Sequence, residues 1–221
     1  LLDNVTDKNK LSTINDYFSF CSRYLEYTKT KLQARIISQN ENHYQFFQYR
    51  EEGQFNITRP LNSKLMYDVE NFMQAAKNFG SLLEQMHDGS PVEDNQRENI
   101  VRIIYTLQQS IGAALDGLPS GKSNQARKIN GDLFERLIRL LVNNLGIDCV
   151  SGTVQVPVFD NNGRELFKSN YQRGLLLSKG NELKVIGSIK TSSKDRIDKI
   201  LWINFSIAVL LTPRFHMLLF S

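Results

Sequence analysis

Residues 181–196 read NELKVIGSIKTSSKDR, and this stretch decides the fold. An apolar strand, Leu183-Lys184-Val185-Ile186-Gly187, runs into Ser188-Ile189-Lys190. A cluster of hydroxyls and cations follows at once: Thr191, Ser192, Ser193, Lys194 and Arg196. A lysine closing a buried strand is costly unless it faces a charged partner, and the partner expected here is a phosphate.

Working backwards, Ser178-Lys179-Gly180-Asn181 is a tight turn into that strand. Glu165 to Tyr171 and Gly174 to Leu177 read as two extended segments, and Asp160-Asn161-Asn162-Gly163 as a turn. Asp148 to Val158 alternates Val150, Val154, Val156 and Val158 and predicts a strand. A long helix precedes it at 123–145, with Ile129, Leu133, Phe134, Leu137, Ile138, Leu141 and Leu145 apolar and Gly146 as its stop. A further helix is expected from about Ser193 onward, on the helix-start signals of that stretch.

The first half differs. Helical spacing runs through 12–40, 62–87 and 94–116, with Ser12 or Thr13 able to cap the first helix. Residues 43–58 alternate around Glu51-Glu52-Gly53-Gln54 and predict a hairpin. Gly117 to Lys122, rich in Gly, Pro and Ser, is the expected boundary between a mainly helical region, 1–120, and a second region, 121–221. Charge changes sign there. Residues 1–120 hold 12 Lys+Arg against 15 Asp+Glu (−3), and residues 121–221 hold 15 against 8 (+7). A basic second half points to a polyanion, although a solvated basic face looks the same in sequence.

The 221 residues are 41% hydrophobic and 23% charged, ordinary for a soluble protein. No apolar run has the length of a membrane span. There is no initiating Met and no signal-peptide pattern, so a trimmed or fragmentary start is expected. Cys21 and Cys149 form no spacing motif, which fits reduced thiols in a cytoplasm. Zinc is not expected, since His43, His87 and His216 lie near no Cys in sequence.

From residue 122 to about 200, the order of elements resembles the PD-(D/E)XK nuclease superfamily, which holds most type II restriction endonucleases. The fold this implies is mixed α/β: a central mixed β-sheet flanked by helices, with the helical N-terminal region added. The implied activity is Mg2+-dependent hydrolysis of phosphodiester bonds in double-stranded DNA at a specific short site. A prokaryotic, cytoplasmic homodimer is implied, together with a cognate DNA methyltransferase acting on the same site, because cutting both strands of a palindrome calls for two-fold symmetry.

The resemblance carries over residue by residue. Glu135, four residues after Gly131, matches the helix glutamate of the family and would hold metal; an exposed glutamate paired with Arg139 at i+4 is the plainer alternative. Ser188-Ile189-Lys190 matches the (D/E)XK triplet, with Ser188 where an acid is usual and Lys190 as the lysine that orients water and contacts the scissile phosphate. The Ile189 carbonyl would be a further metal ligand. Glu182-Leu183-Lys184 is a second E-x-K match, ranked below the first because it opens the strand. Gly174 stands where the family has Asp, so the chain as written is expected to bind metal weakly and cut slowly or not at all. Thr191, Ser192, Lys194 and Arg196 are expected to supply phosphate contacts.

The tail reads as a reading-frame change. ATATTTGTGGATAAATTTCTCTATAGC encodes IFVDKFLYS, and deleting one T gives ILWINFSIA, the text of Ile200 to Ala208. The last helix and strand of the core are therefore expected to be scrambled. An authentic apolar C-terminal strand is the alternative. Two further readings of the whole chain stand beside the nuclease. One is a DNA-binding remnant without catalysis, and the other is a helical interaction protein with no DNA binding.

Overall fold

Asp16 shows how the first long helix starts. One of its carboxylate oxygens accepts hydrogen bonds from the backbone N–H groups of Ser12 and Thr13, at 3.0 and 2.8 Å, and from both hydroxyls. Donors that lack a partner within the helix are satisfied in this way. The computed structural model describes residues 1–31, 34–40, 43–51, 54–119, 121–179, 182–189 and 219–220. No described helix is long and apolar enough to cross a membrane.

The chain groups into two units, Leu1–Leu133 and Phe134–Ser221. The first unit opens with α1 (Leu2–Thr6), a 3-10 turn (Lys8–Lys10) and α2 (Ile14–Lys31). Strands β1 (Ala34–Ile37), β2 (Tyr44–Glu51), β3 (Gln54–Ile57) and β4 (Leu61–Asn62) follow, then α3 (Val69–His87), α4 (Asp94–Leu115) and α5 (Ser123–Asn144). The last of these crosses into the second unit.

The predicted hairpin is present as β2 and β3. The predicted helix over 12–40 is too long. It ends at Lys31, and Ala34 to Ile37 pair antiparallel with Gln48 to Gln45 of β2. Long-range pairing decides that segment, because Ile36 and Ile37 fit a pleated strand once β2 offers a ladder. The helix predicted from 62 starts at Val69. Asp68 caps it by accepting from Asn71 N at 2.8 Å, while Leu61 and Asn62 pair with β2 instead.

Aromatic residues fill this unit's core. Tyr17, Phe20, Tyr24, Phe72, Phe79, Ile103, Leu107, Ile111 and Leu115 are fully buried. Phe18 packs on Phe72 and Phe79 with ring centroids 5.6 and 5.5 Å apart. Thr106, buried among them, has both its needs met: it donates to the Arg102 carbonyl at 2.7 Å and accepts from Tyr67 N at 3.0 Å. Arg59 and Asp116 form a two-pronged ion pair at 2.9 and 2.8 Å. The guanidinium lies so close to α4 that a Cβ at Gly112 would sit 2.4 Å from Arg59 Nη1, which explains the glycine in a helix interior.

The second unit holds one sheet, in the order β5 (Asp148–Phe159), β6 (Glu165–Lys179), β7 (Glu182–Ile189) and β8 (Leu219–Phe220). The first two steps are antiparallel and the last is parallel, so the sheet is mixed. The segments read as two strands at 165–171 and 174–177 are one strand, β6, carrying an irregularity near its middle. At the β5–β6 turn, Asp160 Oδ1 accepts from Asn162 N and Arg164 N at 2.9 and 2.8 Å, and Gly163 takes a φ of 77°. That positive φ is why glycine closes the turn. The helix expected from Ser193 and the frame change expected near Ile200 lie outside the described residues, except that Leu219 and Phe220 pair with Ser188 and Ile189.

Candidate active site

The site is built where α5 crosses the start of β5. Glu135 and Arg139 lie one turn apart on α5. The Ser151 hydroxyl donates to Glu135 Oε1 at 2.5 Å, and Arg139 Nη1 donates to the same hydroxyl at 3.3 Å. Glu135 and Arg139 thus share one hydroxyl of β5. The short Ser151–Glu135 contact is a charge-assisted bond, stronger than a neutral pair. Nearby, Asn143 at the end of α5 accepts from Cys149 N at 2.8 Å and holds the first residues of β5 against the helix. The Cys149 thiol is buried, and burial pushes its pKa up; the Arg139 charge opposes that rise and the Glu135 charge adds to it. The three side chains therefore sit within electrostatic reach of one another.

Ser151 also marks a defect in the ladder. Val150 pairs with Leu176, but Gly152 pairs with Arg173. One residue of β5 therefore faces two of β6, Gly174 and Leu175, which is a β-bulge. Bulges re-aim the chain and occur often beside active sites. On the other side, Leu175 pairs with Gly187 of β7. One step further along the same register, Gly174 is level with Ser188. The sheet thus sets position 174 between Ser151, which binds Glu135, and Ser188 of the S-x-K triplet. Lys190, Thr191, Ser192, Lys194 and Arg196 lie outside the described residues, and Ser188 and Ile189 are described in backbone only. Glu182, the alternative E-x-K start, pairs with Lys179 at the far end of β7.

Sequence reasoning missed Ser151. A signal was there: Ser151-Gly152 interrupts the valine alternation of β5. A Cβ at Gly152 would lie 3.2 Å from Leu176 Cδ1, so a larger residue there would have to push that side chain aside by a few tenths of an ångström.

Mg2+ demands near-octahedral oxygen coordination and is usually held by one or two carboxylates. Among the described residues no three His, Cys, Asp or Glu side chains come together to hold a metal ion. Glu135 offers one carboxylate, already engaged by Ser151, and Gly174 offers none. This donor set does not fit a firmly held catalytic Mg2+.

No family sequence model and no curated protein matches the chain. Among solved structures, it is similar to the crystal structure of the Type IIP restriction endonuclease Kpn2I. The TM-score is 0.59 at 14% identity, with 99% of this chain and 72% of that chain covered. The likeness is one of fold: the chain has a mixed α/β, restriction-endonuclease-like architecture.

Proposed function

We propose that the chain is a type II restriction endonuclease of the PD-(D/E)XK superfamily whose present form is impaired in catalysis. The activity assigned is Mg2+-dependent hydrolysis of phosphodiester bonds in double-stranded DNA at a short specific site. It would act as a homodimer in a prokaryotic cytoplasm, beside a methyltransferase of the same specificity. Glu135 is the carboxylate kept from the site, held by Ser151. Ser188 and the Ile189 carbonyl are weaker oxygen donors. Lys190 contacts the scissile phosphate and orients water, while Thr191, Ser192, Lys194 and Arg196 take the flanking phosphates.

One observation carries this reading. Gly174, which carries no carboxylate, lies in the bulge opposite Ser151, the residue that binds Glu135, and one step along the register from the Leu175–Gly187 pair towards Ser188. A glycine within a strand calls for a reason, and a lost Asp supplies one. The same glycine supports a second reading, a catalytically inactive DNA-binding remnant that keeps the basic face.

The test is cleavage of phage DNA in Mg2+ by Gly174→Asp with the reading frame restored near Ile200. Discrete bands that need both metal and Asp are expected, at a rate at least about a hundredfold above the chain as written, the scale of a lost electrostatic partner in catalysis. Intact DNA from a folded variant would overturn the nuclease. Salt-sensitive duplex binding by that inert variant would then favour the remnant.

A further inference from the structure

Beyond Arg173, β5 and β6 pair only with each other among the described residues, and they run out as a two-stranded ribbon to the turn at Asp160–Gly163. Residues 161–170 are all exposed. Side chains alternate between the two faces of the ribbon. Thr153, Gln155, Asn170 and Lys168 fall on one face, and Val158 and Phe167 on the other. On the polar face Gln155 sits opposite Asn170, and Gln155 Nε2 donates to Asn170 Oδ1 at 3.2 Å. Whichever way the two amides are turned, their mutual bond leaves one NH2 and one carbonyl unused by it, and both residues are exposed.

We infer that this polar face reads base edges in the major groove of duplex DNA, with the Gln155–Asn170 amide pair as its specificity-determining contact. The inference rests on the nuclease reading above. The major groove is about 12 Å wide and admits a two-stranded ribbon. Strands about 4.8 Å apart fit within it. One amide donor and one carbonyl acceptor are the groups that the N7 acceptor and N6–H2 donor of adenine call for. The charge fits as well. Residues 134–221 hold 12 Lys+Arg against 7 Asp+Glu, a net +5. Arg164 and Lys168 are exposed near the tip, and the Asp160 carboxylate there is occupied by two backbone N–H groups. The competing occupant is a second copy of this chain seated on the Val158–Phe167 face.

The probe is a pool of DNA duplexes randomised at the centre, selected by binding in Ca2+ so that cleavage plays no part, and then sequenced. The chain as it stands should enrich a short motif containing adenine. Gln155→Ala with Asn170→Ala should hold the unselected pool within about threefold but lose preference at one or two positions by roughly tenfold or more, the scale of a bidentate base contact. Lys168→Ala should weaken all sequences alike and lower the salt slope by about one, as a phosphate contact does. An unchanged motif in the double variant overturns the inference, and so does a change in oligomeric state on sedimentation with the motif retained. Duplex binding with no motif in the parent chain overturns the inference alone. No duplex binding by the folded chain overturns it together with the nuclease reading.

Discussion

The helical core of the first unit and the β5–β6 ribbon of the second use similar residues to opposite ends. Phe20 and Phe72 are 0% exposed and locked among other rings, whereas Leu166 and Phe167 are 60% and 58% exposed. In the first region the large aromatic and aliphatic side chains cluster in a buried core. In the second, the chain keeps its backbone bonds and exposes every residue from Asn161 to Asn170. Burial supplies most of folding stability, so the helices hold the first unit together while the ribbon tip adds little by burial.

The sharpest way to break that comparison is a matched pair of truncations. Phe72→Ala should cost about 3–5 kcal/mol in urea unfolding, as large-to-small changes at fully buried aromatics do. Phe167→Ser should stay within about 0.5 kcal/mol. Equal costs would mean that the ribbon is packed in solution. Next in size is the Arg59–Asp116 pair. Asp116→Ala removes three bonds to Arg59, including one from its backbone N at 2.7 Å, and should cost about 2 kcal/mol because the pair is three-quarters buried. A neutral result would show that the clamp between the β3–β4 link and α4 is dispensable.

Smaller still is the cap of α3. Asp68→Ala should cost about 1 kcal/mol, and Asp68→Ser should restore most of it. If Ser gives no recovery, the cap is not what holds that end.

The thiols refine the picture through pH. Burial pushes the Cys21 thiol from an ordinary 9.0 up to about 12, with a Ser110 hydroxyl at 3.3 Å pulling weakly the other way. Between those pH values the unfolded chain releases a proton that the folded chain keeps. Cys21 therefore contributes a loss of stability as pH rises from 9 towards 12, and none below. At pH 8 a thiol reagent should label Cys21 only as fast as the first unit opens. Labelling at the rate of a free thiol would show that the core is looser than its packing implies.

Long periodic elements were legible in sequence. The helices at 94–116 and 123–145 and the strands around 148–158 and 183–187 rest on many repeats of one pattern, and their ends fall within a residue or two. The short hairpin at 43–58 was legible too, but β1 and β4 were not. Ala34 to Ile37 continue a helical spacing and become a strand only because β2 is there to pair with them. The candidate site divides in the same way. Glu135, Gly174 and Ser188 could be named only through the family resemblance, and Ser151 could not be named at all, since a lone serine in a strand has no periodic signature.

The sequence by itself determined the long helices, the strand-rich second half and the charge split between the halves, because each is carried by neighbours along the chain. Tertiary structure alone decided that Ser151 stands between Glu135 and the bulge at Gly174. It alone decided that Leu175 pairs with Gly187, one step before Gly174 and Ser188, and that Gln155 meets Asn170. Those are matters of register between strands, and a slip of one residue would turn each side chain to the opposite face.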